Sequence, residues 1–254
     1  MIWVKPKKHL GQHFLHDPNL AQKIAGSLVG TSGNVLEIGP GTGVLTQFLL
    51  ENKNINLKAI EIDKESVAYL RIHFPELRDN LIEGDFLRTD LKEIFEQPFS
   101  IIGNFPYNIS SQILFKVLEN RHMIPEVVGM VQKEVAERIA APPGSKTYGI
   151  MSVLLQAWYD IEYLFTVSEN VFTPPPNVKS AVIRLKRNHQ QSLNCNEVLF
   201  KTIVKTAFNQ RRKKLRNALS SLIATGNSDG LPFMDNRAEQ LSVEDFVLLT
   251  SCLQ

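Results

Sequence analysis

The sequence predicts an α/β fold, a parallel β-sheet with helices on both faces, followed by a small all-helical domain. Between residues 33 and 185, runs typical of buried strands alternate with runs of helical periodicity, and that order is characteristic of a parallel sheet. After about Asn188 the strand signals stop. A polar, unpatterned stretch at 187–192 separates the two regions, which predicts domains at 1–187 and 188–254.

The elements follow in a regular order. Hydrophobic runs predict strands at NVLEIG, LKAIEI, NLIEGD, FSIIGN and EVVGMVQ, and helical spacing predicts helices at TGVLTQFLLENK, KESVAYLRIHF, SSQILFKVLEN and KEVAERIAA. YDIEYLFTV and SAVIRLKR predict an antiparallel pair that closes the sheet, with the stiff loop FTPPPN between them. Three more helices are predicted in the second domain, at NEVLFKTIVKTAFNQ, KKLRNALSSLIA and SVEDFVLLTSCL.

Composition excludes several classes of protein. The chain of 254 residues is 43% hydrophobic and 21% charged, values typical of a soluble globular protein. Its two cysteines, Cys195 and Cys252, form no CxxC pair, so neither a disulfide framework nor a zinc site is expected. No apolar signal core and no run of about 18 apolar residues is present. We therefore expect a cytoplasmic protein without a membrane partner, and nothing in the pattern requires more than a monomer.

Basic residues are clustered although the net charge is only +2. Seven basic residues and no acidic one lie between 201 and 217, and Lys5, Lys7 and Lys8 form a second group. A solvated helix face is the ordinary interpretation of such a run, but the absence of acids favours a surface that binds a polyanion. The residues expected to contact the phosphates of such a polyanion, with a strong salt dependence, are Arg211, Arg212, Lys213, Lys214 and Arg216.

A glycine-rich loop follows the first strand, in VLEIGPGTGVL. Gly39, Gly41 and Gly43 allow a tight turn and close approach to a ligand, but the spacing differs from the G-x-G-x-x-G of dinucleotide sites. Pro40 has no N–H to offer a phosphate. The loop therefore suits a cofactor that is uncharged or cationic at this point.

Polar residues also stand at the ends of the next three strands. Glu61 suits a carboxylate that accepts hydrogen bonds from ribose hydroxyls, Asp85 could accept from an adenine amino group, and Asn104 ends the fourth strand. Each carboxylate alone is equally compatible with a helix N-cap. Negative residues around an adenosine, without a phosphate-binding element, favour S-adenosylmethionine over NAD.

The turn Asn-Phe-Pro-Tyr at 104–107 indicates chemistry on an exocyclic amine. The Asn104 side-chain oxygen and the Pro106 carbonyl could accept hydrogen bonds from such an amine and aim its lone pair at a methyl group. Tyr107 offers a face on which an extruded base could stack. The turn is also compatible with a proline-terminated strand and a core tyrosine.

The motifs in this order resemble the small-subunit ribosomal RNA adenine N6,N6-dimethyltransferases, the family whose bacterial members underlie kasugamycin sensitivity. They are HLGQHFLHD, EIGPGTGVLT, IEID, GD, GNFPYNISS, VFTPPPNVKSAVIRL and AFNQRRKKLRNAL. The resemblance implies a Rossmann-like class I methyltransferase domain and a small helical RNA-binding domain. It implies transfer of methyl groups from S-adenosylmethionine, leaving S-adenosylhomocysteine, to two adjacent adenosines in the 3′-terminal hairpin loop of 16S rRNA. The partner would be this rRNA in an immature 30S particle.

The resemblance also assigns residues. Tyr107 would stack on one face of the target adenine and Phe172 would close the other, while Asn104 and Pro106 hold the amine. The family more often has Asn where this chain has His13, and Leu where it has Phe105. A metal site at His9, His13 and His16 is not expected, because clustered cysteines or carboxylates are missing apart from Asp17. The cofactor-binding residues implied are His13, Leu15, Gly39, Gly41, Glu61, Asp85 and Asn104.

Three other functions remain compatible with the sequence. One is the erythromycin-resistance type of enzyme, which methylates an adenosine of large-subunit rRNA, and another is a DNA adenine methyltransferase. The third is a ribosome-assembly binding factor for which methylation is secondary. The identity of the particle or nucleic acid that accepts methyl groups would separate them.

Overall fold

The computed structural model describes residues 4–30, 33–223 and 230–253. The chain divides into two compact units: a first unit of Met1–Ala136 with Glu162–Arg187, and a second unit of Glu137–Ile161 with Asn188–Gln254. The chain passes from the first unit to the second between Arg187 and Asn188, which is where the sequence predicted the domain boundary. The second unit also takes in Glu137–Ile161, which the sequence analysis assigned to the first domain. This segment contains a helix, Ile150–Gln156, that packs against two helices from the later part of the chain.

A seven-stranded sheet is the frame of the described structure, with the order β4-β3-β2-β5-β6-β9-β7. Its strands are β2 (Gly33–Ile38), β3 (Ile55–Glu61), β4 (Leu81–Glu83), β5 (Phe99–Asn104), β6 (Glu126–Gln132), β7 (Tyr159–Val167) and β9 (Ser180–Arg187). The first five in spatial order are parallel, and β9 is antiparallel to β6. The prediction of a parallel sheet extended by antiparallel strands is confirmed.

Register brings the carboxyl ends of four strands to one edge. Ile38 of β2 pairs with Ile60 of β3, and Glu61 of β3 pairs with Glu83 of β4. On the other side, Glu37 of β2 pairs with Ile102 of β5. Residues that follow these strands therefore meet at the carboxyl edge, where ligands bind in open α/β sheets.

Three of the helices in this part of the chain begin after a capping aspartate, Asp17, Asp63 or Asp90. Asp17 caps the first helix by accepting from the Leu20 N–H at 3.1 Å, and Asp63 caps another by accepting from the Glu65 N–H at 3.3 Å. The helices are α1 (Pro18–Ala25), α2 (Thr46–Glu51), α3 (Lys64–His73), α4 (Leu91–Ile94), α5 (Ser110–Glu119) and α6 (Lys133–Ala140). Neither α1 nor α4 was predicted from the sequence.

A two-stranded antiparallel sheet joins the N-terminal arm to the proline loop. Its strands are β1 (Phe14–Leu15) and β8 (Phe172–Thr173), and Leu15 pairs with Phe172. The His16 N–H also donates to the Val171 carbonyl at 3.0 Å. These two strands are too short to show a period in the sequence, so this pairing was not predicted.

The second unit is helical. Its described helices are α7 (Ile150–Gln156), α8 (Glu197–Asn209), α9 (Leu215–Ala218) and α10 (Val243–Cys252). Phe200, Phe208 and Phe246 are buried, as is Tyr148, whose ring meets that of Phe208 edge-on at 6.0 Å.

One predicted helix is much shorter than expected. The prediction KKLRNALSSLIA covers residues 213–224, whereas α9 ends at Ala218 and residue 224 lies outside the described residues. The helix starts at Leu215 because the N–H groups of Leu215 and Arg216 donate to the carbonyls of Asn236 and Met234. None of the helices within 4–30, 33–223 and 230–253 is long and apolar enough to cross a membrane.

Candidate active site

A cavity of about 260 Å³ lies at the carboxyl edge of the sheet, and we call it the central cavity. Three kinds of segment line it: the N-terminal arm at 9–14, the ends of β2, β3 and β4 with the residues after them, and the turn at 104–109. The predicted site residues among its lining are His13, Gly39, Gly41, Glu61, Asp85, Asn104, Pro106 and Tyr107. Five separate motifs of the sequence therefore meet in one place.

The glycine loop needs glycine at two positions in particular. Gly41 has φ +59° and Gly43 has φ +80°, both in the left-handed region that side chains disfavour. A Cβ on Gly41 would lie 2.9 Å from the Phe14 ring, and one on Gly43 would lie 2.2 Å from the Phe74 ring. The loop thus packs tightly between the arm and α3 while its backbone lines the cavity.

Glu61 is buried and its carboxylate is held by the backbone on both oxygens. Oε2 accepts from the Gly41 N–H at 3.0 Å, and Oε1 accepts from the Asp63 N–H at 2.9 Å. Burial raises the pKa of Glu61, while these backbone donors oppose the rise. Each carboxylate oxygen can accept a second hydrogen bond, so the site fits the two hydroxyls of a ribose.

The N-terminal arm is tied to the same strand end. Lys7 makes a short ion pair with Asp63 and lies 3.2 Å from Glu65. The pKa of Asp63 is lowered: burial alone would raise it, but the Lys7 ammonium and the Ser66 hydroxyl outweigh that effect. Lys7 is therefore an anchor of the arm, in contrast to the expectation that Lys5, Lys7 and Lys8 together face a polyanion.

Glu37 is a site residue that the sequence analysis missed. Its carboxyl is 1% exposed and accepts from the Thr46 hydroxyl at 2.7 Å. Burial raises the pKa of Glu37 to about 8, so the group is largely protonated at pH 7. A small cavity of about 40 Å³ adjoins it, lined also by the glycine loop and Asn104. The signal available was a glutamate between apolar residues of β2, two positions before Gly39.

Asp85 lies on a loop after β4 that a lysine of α5 holds. Its Oδ1 accepts from the Leu87 N–H at 2.9 Å. Lys116 donates to the carbonyls of Leu87 and Thr89, and burial lowers the pKa of this lysine. Lys116 was not predicted from the sequence either, because it fixes the Asp85 loop only through the tertiary packing of α5.

The amide of Asn104 has a defined orientation. Its Nδ2 donates to the His13 carbonyl at 2.9 Å, and its Oδ1 has no partner among the described residues. Pro106 accepts from the Ile109 N–H at 3.1 Å through a carbonyl oxygen that can still accept a second bond. Two acceptors, the Asn104 Oδ1 and the Pro106 carbonyl, are therefore available in the wall of the central cavity.

Phe105 fits its position because the neighbouring strands carry glycines. The side chain is completely buried, and a Cβ on Gly129 would lie 2.5 Å from its ring. A Cβ on Gly103 would lie 3.2 Å from the same ring. The space left by these two glycines accommodates a phenylalanine at the position where the family more often has leucine.

Tyr107 lies where the central cavity meets a second one of about 580 Å³, which we call the outer cavity. Its hydroxyl makes a short hydrogen bond with Ser180, and burial raises the pKa of Tyr107. The His13 ring stacks on the Tyr107 ring with centroids 5.3 Å apart and an angle of 28° between the planes. Pro174 and the two prolines that follow line the opposite side of the outer cavity.

Two predicted residues lie in the hydrophobic core. Phe172 is 2% exposed and Leu15 is 6% exposed, and both belong to a cluster that includes Val182. Phe172 lines neither the central nor the outer cavity, and Leu15 borders only the small cavity beside Glu37. The pairing of β1 with β8 places both side chains in the core, so the structure does not bring Phe172 together with Tyr107.

The basic cluster of the second unit is partly neutralised. Lys214 and Arg216 contact Asp235 at 3.0 and 2.7 Å, and these partners lower the pKa of Asp235. Arg211 donates to the Ser145 carbonyl at 3.2 Å. The side chains of Arg212 and Lys213 are exposed and form no ion pair or hydrogen bond among the described residues, which singles them out from the five predicted positions. In the same described part of the chain, no group of three or more His, Cys, Asp or Glu side chains could hold a metal ion.

Comparison with known proteins bears on this arrangement. A family model described as ribosomal RNA adenine dimethylase matches residues 4–254. The chain is 61% identical over 252 residues to the ribosomal RNA small subunit methyltransferase A of Cytophaga hutchinsonii, covering 98% of each chain. It is also 61% identical to the protein of the same name from Parabacteroides distasonis, covering 98% of this chain and 94% of that one.

Solved structures agree on the fold. A dimethyladenosine transferase from Plasmodium falciparum is similar with a TM-score of 0.79 and 26% identity, covering 93% of this chain and 96% of that one. A 23S rRNA methyltransferase, ErmE, is similar with a TM-score of 0.72 and covers 94% of this chain and 99% of that one, but at 22% identity this likeness shows the fold alone.

The matched family model spans nearly the whole chain, and five of the seven motifs that carried the resemblance line one cavity. S-adenosylmethionine is the methyl donor of this family, and the cavity lining includes two carboxylates, Glu61 and Asp85, that can accept hydrogen bonds. The chain belongs to the ribosomal RNA adenine dimethylase family.

Proposed function

We propose that the protein methylates the N6 amines of two adjacent adenosines in the 3′-terminal hairpin loop of small-subunit rRNA, twice each, during assembly of the 30S particle. The names of the relatives support the choice of the small subunit over the large. The proposal includes an immature 30S particle as the partner, a monomeric enzyme and a cytoplasmic location. One observation carries it: Asn104, with a fixed amide and a free Oδ1, lies in a cavity wall that it shares with Tyr107.

Bound in the central cavity, S-adenosylmethionine supplies an electrophilic methyl group. Glu61 accepts from the ribose hydroxyls through the oxygens that Gly41 and Asp63 orient, and Asp85 accepts from the adenine amine. His13, Gly39 and Gly41 line the remaining wall. The two backbone hydrogen bonds to Glu61 fix the direction of its carboxylate before the cofactor binds. Less conformational entropy of this side chain is therefore lost on binding.

The target amine is a poor nucleophile, because its lone pair is delocalised into the adenine ring. Asn104 Oδ1 and the Pro106 carbonyl each accept one N–H of this amine and favour a pyramidal nitrogen whose lone pair is directed at the methyl group. A strong base is not required, since the nitrogen loses a proton only after it has been methylated. The Asn104 amide therefore acts by position and dipole.

The extruded base stacks on Tyr107, which the Ser180 hydroxyl holds in place. Phe172 would close the second face of the base only after leaving its packed position in the core. Arg212 and Lys213 contact phosphates of the rRNA, and their freedom from ion pairs supports that role. Such contacts position the RNA without reading its sequence.

The test offers purified protein and radiolabelled S-adenosylmethionine to three substrates: small-subunit particles from an unmethylated strain, large-subunit particles and duplex DNA. We expect N6,N6-dimethyladenosine in the small subunit only, and loss of label with Tyr107→Ala. Label in the large subunit would move the enzyme to the erythromycin-resistance type. Tight binding of the particles without any label would leave an assembly factor and contradict the catalytic roles of Asn104 and Tyr107.

A further inference from the structure

His13 contacts three parts of the proposed site at once. Its main-chain carbonyl accepts from Asn104, its ring stacks on Tyr107, and its Nδ1 lies 2.7 Å from the Pro174 carbonyl. A carbonyl can only accept, so Nδ1 carries the proton in this contact. The residue thus links the catalytic turn to the proline loop.

The arm is pressed closely against the catalytic turn at this point. Gly11 has φ +65°, and a Cβ there would lie 2.4 Å from the Asn108 side-chain oxygen. The pairing of Leu15 with Phe172 holds the arm on the other side of His13. The main chain of His13 is therefore fixed at both ends, and its carbonyl has a defined place from which to orient the Asn104 amide.

The imidazole takes up space that a base needs. It covers one face of Tyr107 and reaches Pro174, and both of these residues line the outer cavity. A planar ring with a protonated nitrogen directed at a carbonyl offers the same two contacts as a small heterocyclic base, a π-face and an N–H donor. Asparagine, which the family more often has here, could form the polar contact but not a comparable stack.

We infer that the imidazole of His13 is a displaceable cover on the base-stacking face of Tyr107. It keeps Tyr107 and the proline loop apart until the target adenine takes its place, while the His13 carbonyl independently sets the Asn104 amide. The inference rests on the proposed function, because it assumes that the target base stacks on Tyr107. It makes His13 a positioning residue whose side chain competes with the substrate and whose main chain assists it.

The experiment compares two synthetic hairpin RNAs, one with two adjacent adenosines in the loop and one with abasic sites in their place. Affinities are measured at low salt, where phosphate contacts bind either RNA, with saturating S-adenosylhomocysteine. The ratio of the abasic Kd to the adenosine Kd reports how tightly the pocket holds the bases, separately from the phosphate contacts. Global unfolding or a weakened phosphate surface would change both affinities and leave the ratio unaltered.

We expect His13→Ala to raise this ratio about 3- to 10-fold, since the base no longer displaces a stacked ring. His13→Asn should raise it similarly, because the amide restores the polar contact but not the stack. On small-subunit particles both variants should lower KM more than they change kcat. The matched control is His16→Ala, an exposed histidine three residues along the arm with no ring contact among the described residues, which should leave the ratio unchanged.

An unchanged or lowered ratio in both His13 variants would overturn the inference. The proposed function is tested separately by Tyr107→Ala, which should lower the ratio because the stacking face is lost. A wild-type-like ratio in Tyr107→Ala would remove base stacking from the proposed function itself. A lowered ratio in Tyr107→Ala with an unchanged ratio in the His13 variants would reject the inference on His13 and leave the proposed function in place.

Discussion

Glu61 in the first unit and the basic cluster at 211–216 in the second unit differ in how their charged groups are surrounded. Glu61 is buried, and two backbone N–H groups fix its carboxylate. The side chains of Arg212 and Lys213 are exposed and form no ion pair or hydrogen bond among the described residues. A buried charge must be hydrogen-bonded to be tolerated, so its direction is set by the fold. An exposed charge stays hydrated, so the fold does not have to fix its direction. Its attraction to a ligand acts over several ångströms, depends little on exact position and is weakened by salt.

The largest expected effect is in the buried part of the site. Asn104→Ala removes the acceptor for the target amine, and we expect kcat for methyl transfer to small-subunit particles to fall by roughly 100- to 1000-fold. Asn104→Asp keeps an acceptor but loses the donor to the His13 carbonyl, so its loss should be smaller. The matched control is Asn56→Ala, an amide that bonds Asn34 at the start of β3 and should leave kcat unaltered.

Thermal unfolding and S-adenosylhomocysteine affinity of the Asn104 variants, measured alongside, show whether the fold survives. A kcat within a few-fold of the wild type in folded Asn104→Ala would contradict the role of the fixed amide.

The second effect is on cofactor affinity. In Glu61→Gln, the new amide nitrogen meets either the Gly41 or the Asp63 N–H, so one of the two backbone donors loses its acceptor. We expect the Kd for S-adenosylmethionine, measured by calorimetry, to rise about 10- to 100-fold. The control is Glu83→Gln, at the end of the neighbouring strand and 41% exposed, which should change the Kd less than 2-fold. Equal changes in both variants would mean that net charge, and not a fixed carboxylate, binds the cofactor.

The third effect is a pH dependence of stability that arises from Glu37. The carboxyl of the folded protein keeps its proton to a pKa of about 8, whereas the unfolded chain releases it near 4.5. The folded state therefore binds more protons between these values, so the stability from this group is complete below about pH 4.5 and is lost as pH rises towards 8. Glu37→Gln should remove this loss, which we expect to be on the order of 1–3 kcal/mol in the free energy of unfolding.

Denaturant unfolding of both proteins at pH 5 and pH 8 measures this difference. A difference between wild type and Glu37→Gln that is the same at both pH values would show that Glu37 does not titrate in this window.

The smallest effect concerns single residues of the basic cluster. Arg212→Ala and Lys213→Ala should each weaken rRNA binding a few-fold and lower the slope of log K against log salt by about one. Lys214→Ala is the internal comparison, because Lys214 already contacts Asp235 and should change the slope less. Titrations at several salt concentrations measure these slopes. A larger change for Lys214 than for Lys213 would show that the Asp235 contacts are given up when RNA binds.

Sequence patterns were most informative where a single element carries them. The strands β2, β3, β5 and β6 were predicted nearly to the residue because hydrophobic residues dominate each of them and most of their residues are buried. The placement of Glu61, Asp85 and Asn104 at one edge followed from parallel strands alone. The helix at 213–224 was wrong in length, since backbone bonds to residues 234 and 236 replace its first turn.

Contacts between distant segments could not be predicted in this way. The β1–β8 pairing joins strands of two residues separated by more than 150 positions, and it moves Phe172 and Leu15 into the core. Lys116 fixes the Asp85 loop from another helix, and α7 joins the second unit because of its packing. A local pattern holds no information on such partners.

By itself, the sequence determined the α/β fold, the carboxyl-edge site and the chemistry of a methyl donor and a target amine, because hydrophobic periodicity and residue type act locally. The tertiary structure alone decided which of these groups are buried, which are already paired and which way they face. It protonates Glu37 by burial, neutralises Lys214 and Arg216 through Asp235, and brings His13 onto Tyr107. The reason is physical: desolvation, ion pairing and ring stacking depend on distances between atoms that the chain brings together only when it folds.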